Sequence, residues 1–370
     1  MDMANPKPIR TRKRISRAGS GGYSIYLPKQ WINGWTEEQN KDRLVDMIGL
    51  GDHLILTPKI ARKRINVSSE KMSNYELKQY IVSSYVNGAD EFRLASNRLS
   101  DSLIGESRNI IRLLDENLTP GSTNFEISYS NRSNIVYDTD TLFNLLFDRV
   151  TEGENLAIDL LTCFDVNPNK GIQILRLMYA LEEEDIDRLA FQILRMLARC
   201  DSSSRTILDL NVKWMATDSL ERIGDNLYAI AGLVSASYGL EREMLQYPVE
   251  YLQEHVLKDG ARVPKDMAGL KEHCITDMRT CSQTLHKIKD IILKRDGRKA
   301  TESSKDISEY RLRRERDYWQ NLGRLSQLSS EVQNSISWWS MIEKRIGEML
   351  YLTEGMTKRA GLVYFADDPS

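Results

Sequence analysis

A chain of 370 residues, 41% apolar and 28% charged, holds enough hydrophobic material for two or three cored domains. Its net charge of −2 excludes a surface built throughout for polyanions. The first residues are polar and basic with no apolar core, and no apolar stretch approaches the ~20 residues of a membrane span, so a cytoplasmic protein without membrane insertion is expected. Four cysteines without CxxC spacing read as free thiols of a reducing compartment.

Charge is unevenly spread along the chain. Residues 1–30 hold Lys7, Arg10, Arg12, Lys13, Arg14, Arg17 and Lys29 against the single acid Asp2, a local excess of six. Next come a β-rich run at Tyr23–Leu27, Pro28 opening a short helix through Trp31, a turn at Gly51-Asp52 and a second strand at His53–Thr57. This is too little material for a core of its own, so residues 1–60 are expected to pair with a second copy. Residues 61–132 follow a β-α-β-α-β order. Strands are expected at "RKRINVS", "EFRLA" and "TNFEISY", helices at 75–86 and 101–114, and a break at Pro120-Gly121.

Beyond residue 138 the strands vanish. Helices are expected near 139–164, 170–200, 206–238, 266–295, 304–331 and 337–360, in two sets of three, giving domains 133–240 and 241–370. The fold class is therefore α+β, multidomain and mainly α.

The third of these helices carries "SLERIGDNLYAIAG", in which Leu220, Ile223, Leu227 and Ile230 write an apolar seam. Glu221 and Asp225 flank that seam one turn apart, as Glu183 and Asp187 flank the seam of the preceding helix. With the turn near Ser204, Asp187 and Glu221 are each 17 residues from it, so both pairs lie at one height in an antiparallel hairpin. Four gathered carboxylates repel unless a cation or protons neutralise them, and an all-oxygen set suits Mg, Mn, Ca or Fe, with Zn also compatible. A solvated acidic flank is the other reading of the same spacing. Gly224, costly within a helix, leaves room for an ion, a ligand or a close helix.

"RIGEMLY" (Arg345–Tyr351) repeats "RIGDNLY" (Arg222–Tyr228) at an offset of 123, in the third helix of the second set. There Lys344 stands in the place of Glu221. If Asp317 matches Asp187, Arg313 replaces Glu183, so no metal cluster is expected in the second set.

"EEEDIDRL" with "LERIGDNLYAIA" resembles the E/D-x-x-x-D signatures of PhoU domains, tandem three-helix bundles that regulate phosphate uptake and bind multinuclear metal. The resemblance covers roughly 139–360 and implies Glu183, Asp187, Glu221 and Asp225 as ligands of a divalent or trivalent ion (Fe, Mn, Mg or Zn). "RKRISRAGSGGYSIYLPKQWI" with "GLGDHLILTP" is similar to SpoVT/AbrB-type domains, intertwined hairpin dimers that grip DNA. Together the order resembles archaeal-type PhoU-family regulators. It implies Lys13, Arg14 and Arg17, with Arg12 and Lys29, as DNA-facing residues, a homodimer, and a phosphate transporter subunit as a further partner. Cations in such positions neutralise phosphates and release counterions, and arginine also reads guanine edges. A basic tail or solvated strand is the alternative.

No nucleophile–His–acid signature or P-loop ending is present, and His273, Cys274, Cys281 and His286 lack zinc spacing, so no reaction is assigned. The expected function is a DNA-binding regulator of phosphate uptake. The alternatives are a PhoU-type interaction protein acting on a transporter without DNA, and a carboxylate-bridged metalloenzyme. The enzyme lacks the histidines that accompany acids in oxidase bundles. Trp338-Trp339 is expected in the core or as an interdomain plug.

Overall fold

The computed structural model describes residues 16–18, 22–24, 26–33, 45–50, 53–58, 64–68, 73–96, 99–115, 118–131, 139–199, 207–256, 269–325 and 330–364. Contacts divide the chain into two units, residues 1–63 and 64–370.

In the first unit β1 (Ser16–Ala18) pairs antiparallel with β2 (Gly22–Ser24), and β3 (Val45–Leu50) with β4 (His53–Pro58). Between them lies α1 (Lys29–Asn33), the short helix expected after Pro28. Of the β-rich run Tyr23–Leu27, Tyr23 and Ser24 lie in β2, and Tyr26 and Leu27 are outside a strand.

The second unit begins with β5 (Arg64–Ser68), α2 (Asn74–Val86), β6 (Glu91–Ala95), α3 (Asp101–Leu114), β7 (Leu118–Ser122) and β8 (Glu126–Asn131). A reciprocal capping box starts α2: the Ser73 hydroxyl accepts from the Glu76 N–H, and the Glu76 carboxylate accepts from the Ser73 N–H. The sheet order is β5-β6-β8-β7. Its β5–β6 pair is parallel, as a helical crossover requires, and the other pairs are antiparallel. β7 is a strand where a break was expected. Pro120 sits on an edge strand, where a missing N–H is tolerated, and Gly121 faces Ser128, whose Oγ would stand 2.7 Å from an added Cβ. Ile127 and Tyr129 of β8 are buried, whereas Phe125, within the same expected strand, precedes β8 and is exposed.

The helical part comprises α4 (Thr139–Cys163), α5 (Pro168–Ala180), a π-helical segment (Leu181–Ile186), α6 (Asp187–Ala198) and α7 (Ile207–Ser237). A 3-10 turn (Arg242–Gln246) and α8 (Val249–His255) lead to α9 (Leu270–Lys294), α10 (Gly297–Leu325) and α11 (Ser330–Tyr364). α10 starts before the expected residue 304 because the Asp296 carboxylate accepts from the Lys299 N–H and caps it. One apolar cluster runs from Leu142 to Tyr364 through both sets, joined where α7 packs on α11 and α4 on α9. Trp339 is buried within it, and Trp338 stacks on Phe164 at 5.6 Å. Among the described residues no helix is long and apolar enough to cross a membrane.

The sheet module has its own core, and its α2 and α3 lie against α6. Arg195 of α6 is the pin. Its Nη1 donates to the carbonyls of Tyr85 (2.9 Å) and Ala89 (2.7 Å), and its guanidinium lies over the Tyr85 ring. One turn on, Arg199 donates to Asp90 at 2.6 Å. Gly88, at φ +80°, both closes α2 in the left-handed region and leaves space for the Arg199 stem.

Candidate functional site

Of the acidic pairs, Glu183 lies in the π-helical segment and Asp187 in α6 directly after it, while Glu221 and Asp225 lie on α7. Asp187 opens α6 immediately after the π-helical segment, where its N–H donates to the Glu182 carbonyl five residues back. Single π turns within helices are frequent at functional sites. Glu221 is half-buried on α7. Burial, followed by the charges of Asp225, Asp187 and Asp218, pushes its carboxyl up to about 8. Asp225 is exposed, yet burial raises its carboxyl against the pull of Lys78, Arg222 and Arg345. Those cations come from α2, α7 and α11, so the sheet module and the second helical set both reach this acid. The charges of Asp187, Asp225 and Asp218 thus reach Glu221, although among the described residues only His273, Asp277 and Glu343 stand close enough together to hold an ion as they are placed. The side chain of Glu183 lies outside the described residues. The donors are all oxygens, which fits a hard or borderline cation such as Mg, Mn or Fe.

Gly224 has a different job from clearance beside an ion. A Cβ there would meet Ile186 Cγ2 at 2.9 Å, and Ile186 is fully buried. The glycine therefore lets the π-helical segment close on α7, which holds Asp187 beside Glu221. Gly224→Ala is expected to cost about 1–3 kcal/mol by overpacking. Denaturant unfolding checks this, and a change under ~0.5 kcal/mol would show that the helices have slack there.

The second set repeats this frame with its charges changed. Gly347, the counterpart of Gly224, faces Arg314, whose Nη1 would stand 3.0 Å from an added Cβ. Arg314 thus takes the place of Ile186. In that register Glu315, not Asp317, matches Asp187, and Arg311, not Arg313, matches Glu183.

Arg314 binds two buried acids. Its Nε donates to Asp277 Oδ2 at 2.5 Å, and its Nη2 lies 2.6 Å from Glu343 Oε1 and donates to the Glu343 carbonyl at 2.9 Å. Tyr310 donates to the other Asp277 oxygen. His273 Nε2 approaches Asp277 and Glu343 at 3.6 and 3.9 Å. His273, Asp277 and Glu343 converge closely enough to hold a metal ion, but the guanidinium already supplies the neutralising cation. Burial pushes the Glu343 carboxyl up, and Arg314 opposes that shift.

Sequence reasoning missed this cluster, although the i,i+4 spacing of His273 and Asp277 was visible. It also missed Glu154, a fully buried acid of α4 facing Cys281 and Ser282, whose carboxyl burial pushes up to about 8. Of the basic positions, Lys29 is exposed as the first residue of α1. Arg17 lies in β1 opposite Tyr23. Its side chain, and Arg12, Lys13 and Arg14 entirely, lie outside the described residues.

No protein-family model matches the chain, and no curated protein matches it. Among solved structures, the chain is similar to a protein from Shewanella oneidensis MR-1 described as a PhoU-like phosphate regulatory protein. The match covers 64% of this chain and all of that one, at 15% identity and a TM-score of 0.39.

Proposed function

We propose that this chain is a DNA-binding regulator of phosphate uptake whose first helical bundle holds a metal ion. The observation that carries the reading is the acid cluster. Glu221, half-buried on α7, lies within electrostatic reach of Asp187 on α6 and of Asp225 and Asp218 on its own helix. The facing acid pairs of the PhoU-type signature have this arrangement. Glu183, Asp187, Glu221 and Asp225 would hold Fe, Mn, Mg or Zn, and the bound ion would neutralise acids that otherwise repel. The protein has no catalytic role in this reading. Its four domains would be the DNA-binding pair of hairpins at 1–60, the sheet module at 61–132, the metal bundle at 133–240 and its altered copy at 241–370.

The basic excess of residues 1–30 supports the DNA-binding half, since a local cationic segment on a near-neutral chain suits phosphate backbones. Pairing of the hairpins of two copies would place two such segments together in a cytoplasmic homodimer. A phosphate transporter subunit is the protein partner this reading names.

Two measurements on the full-length protein test the halves separately. Glu221→Gln/Asp225→Asn is expected to lower metal content by elemental analysis at least tenfold, and unchanged content would remove the metal site. Replacing Arg12, Lys13, Arg14 and Arg17 by alanine is expected to abolish binding to duplex DNA. The native protein's affinity is expected to fall steeply with salt. DNA binding that is insensitive to both would defeat the assignment.

A further inference from the structure

We infer that the altered copy of the acid site, in the second bundle, is a pocket for a phosphate-type oxyanion. A cavity of about 420 Å³ opens over Gly347 between α10 and α11, within the size range of small-ligand sites. Arg311, Arg314 and Lys344 line it, together with Glu315 and Glu343. In the register set by the two glycines, Arg311 and Lys344 replace Glu183 and Glu221, so the frame that gathers acids in one bundle gathers cations in the other.

Each cation keeps donors for a ligand. Arg314 is nine-tenths buried, and its Nε and Nη2 serve Asp277 and Glu343, while Nη1 faces the bare backbone of Gly347. Among the described residues Nη1 has no acceptor. Arg311 is bound through Nε to Glu354, which Lys358 and Ser308 also satisfy, so both Nη groups of Arg311 remain. Lys344 is exposed and has no ionic partner among the described residues. Two guanidinium groups from α10 and an ammonium from α11 suit the oxygens of a phosphoryl group, with arginine supplying fixed planar donors. The acids have a role too. A carboxylate repels a fully deprotonated oxyanion but accepts a hydrogen bond from one that keeps a proton. Glu315 therefore favours hydrogen phosphate or a protonated terminal phosphate over sulfate.

The assignment deepens the phosphate-regulation reading and rests on it for the biological ligand. Equilibrium binding to the full-length protein in chelator-treated buffer tests it, with orthophosphate, pyrophosphate and sulfate as probes. Saturable binding of orthophosphate or pyrophosphate is expected, at least tenfold tighter than sulfate. Orthophosphate binding the tighter identifies the free ion, and pyrophosphate a terminal phosphate of a larger molecule.

Lys344→Glu restores the acid found in the other bundle and is expected to weaken binding at least tenfold, as is Gly347→Ala. Glu302→Gln, at an exposed position of α10 outside the pocket, is expected to leave it unchanged. Thermal melts confirm that the exposed Lys344→Glu variant is folded. No saturable binding, equal affinity for sulfate, or indifference to both Lys344→Glu and Gly347→Ala would overturn the site. Such failure, with DNA occupancy still following phosphate supply, would leave the regulator reading standing. Phosphate binding without any DNA binding would do the reverse.

Discussion

Arg314→Met is expected to cost about 3–5 kcal/mol of stability, because it leaves Asp277 and Glu343 buried beside each other without a counter-charge. Both acids are at least nine-tenths buried, and Arg314 contacts both carboxylates. The same variant is expected to melt several degrees higher when Mn or Zn is added, since His273, Asp277 and Glu343 then present one nitrogen and two oxygen donors to a vacated cationic position. The native protein is expected to show no such response at that site. A loss under 1 kcal/mol would mean that the two acids do not need Arg314 as their counter-charge.

Arg195→Met is expected to cost about 2–4 kcal/mol, with a local signature. Its Nη1 donates to the Tyr85 and Ala89 carbonyls; that of Tyr85 also accepts from the Gly88 N–H, so the loss falls mainly on Ala89, where a buried acceptor left bare costs roughly 1–3 kcal/mol. The cation–π contact with Tyr85 adds to this. Hydrogen exchange is expected to accelerate across α2 and β6 while α9–α11 keep their protection, because the sheet module has a separate core. Uniform acceleration throughout residues 64–370 would instead mean that the module and the bundles unfold as one.

Helix placement was largely legible in the sequence. The 3.6-residue apolar period put helices at 139–164 and 206–238, and the structure has Thr139–Cys163 and Ile207–Ser237. Long amphipathic stripes are read well because many residues vote on the same face. What escaped was decided by single residues or by contacts distant in sequence. Pro120 and Gly121 look like a break in isolation, and only the edge position of β7 makes them a strand. The π turn changes the helical register by one residue within "LEEEDI", a run whose pattern is equally good for an α-helix.

Matching the two sets by spacing paired Asp317 with Asp187, whereas the facing glycines pair Glu315 with it. The candidate acids Asp187, Glu221 and Asp225 were legible because their spacing to the turn is symmetric about Ser204. The role of Gly224 was not, since nothing in the sequence says that Ile186 would lie against it. Arg314 was invisible for the same reason. Its partners Asp277 and Glu343 are 37 and 29 residues away, on other helices.

The central claim, a DNA-bound regulator that responds to phosphate, is tested most directly by mapping the protein's occupancy across its own genome under ample and limiting phosphate. The account predicts discrete sites at genes for phosphate uptake, with occupancy that changes with phosphate supply and disappears when Arg12, Lys13, Arg14 and Arg17 are neutralised. Absence of such sites, or occupancy identical under both conditions, would contradict it.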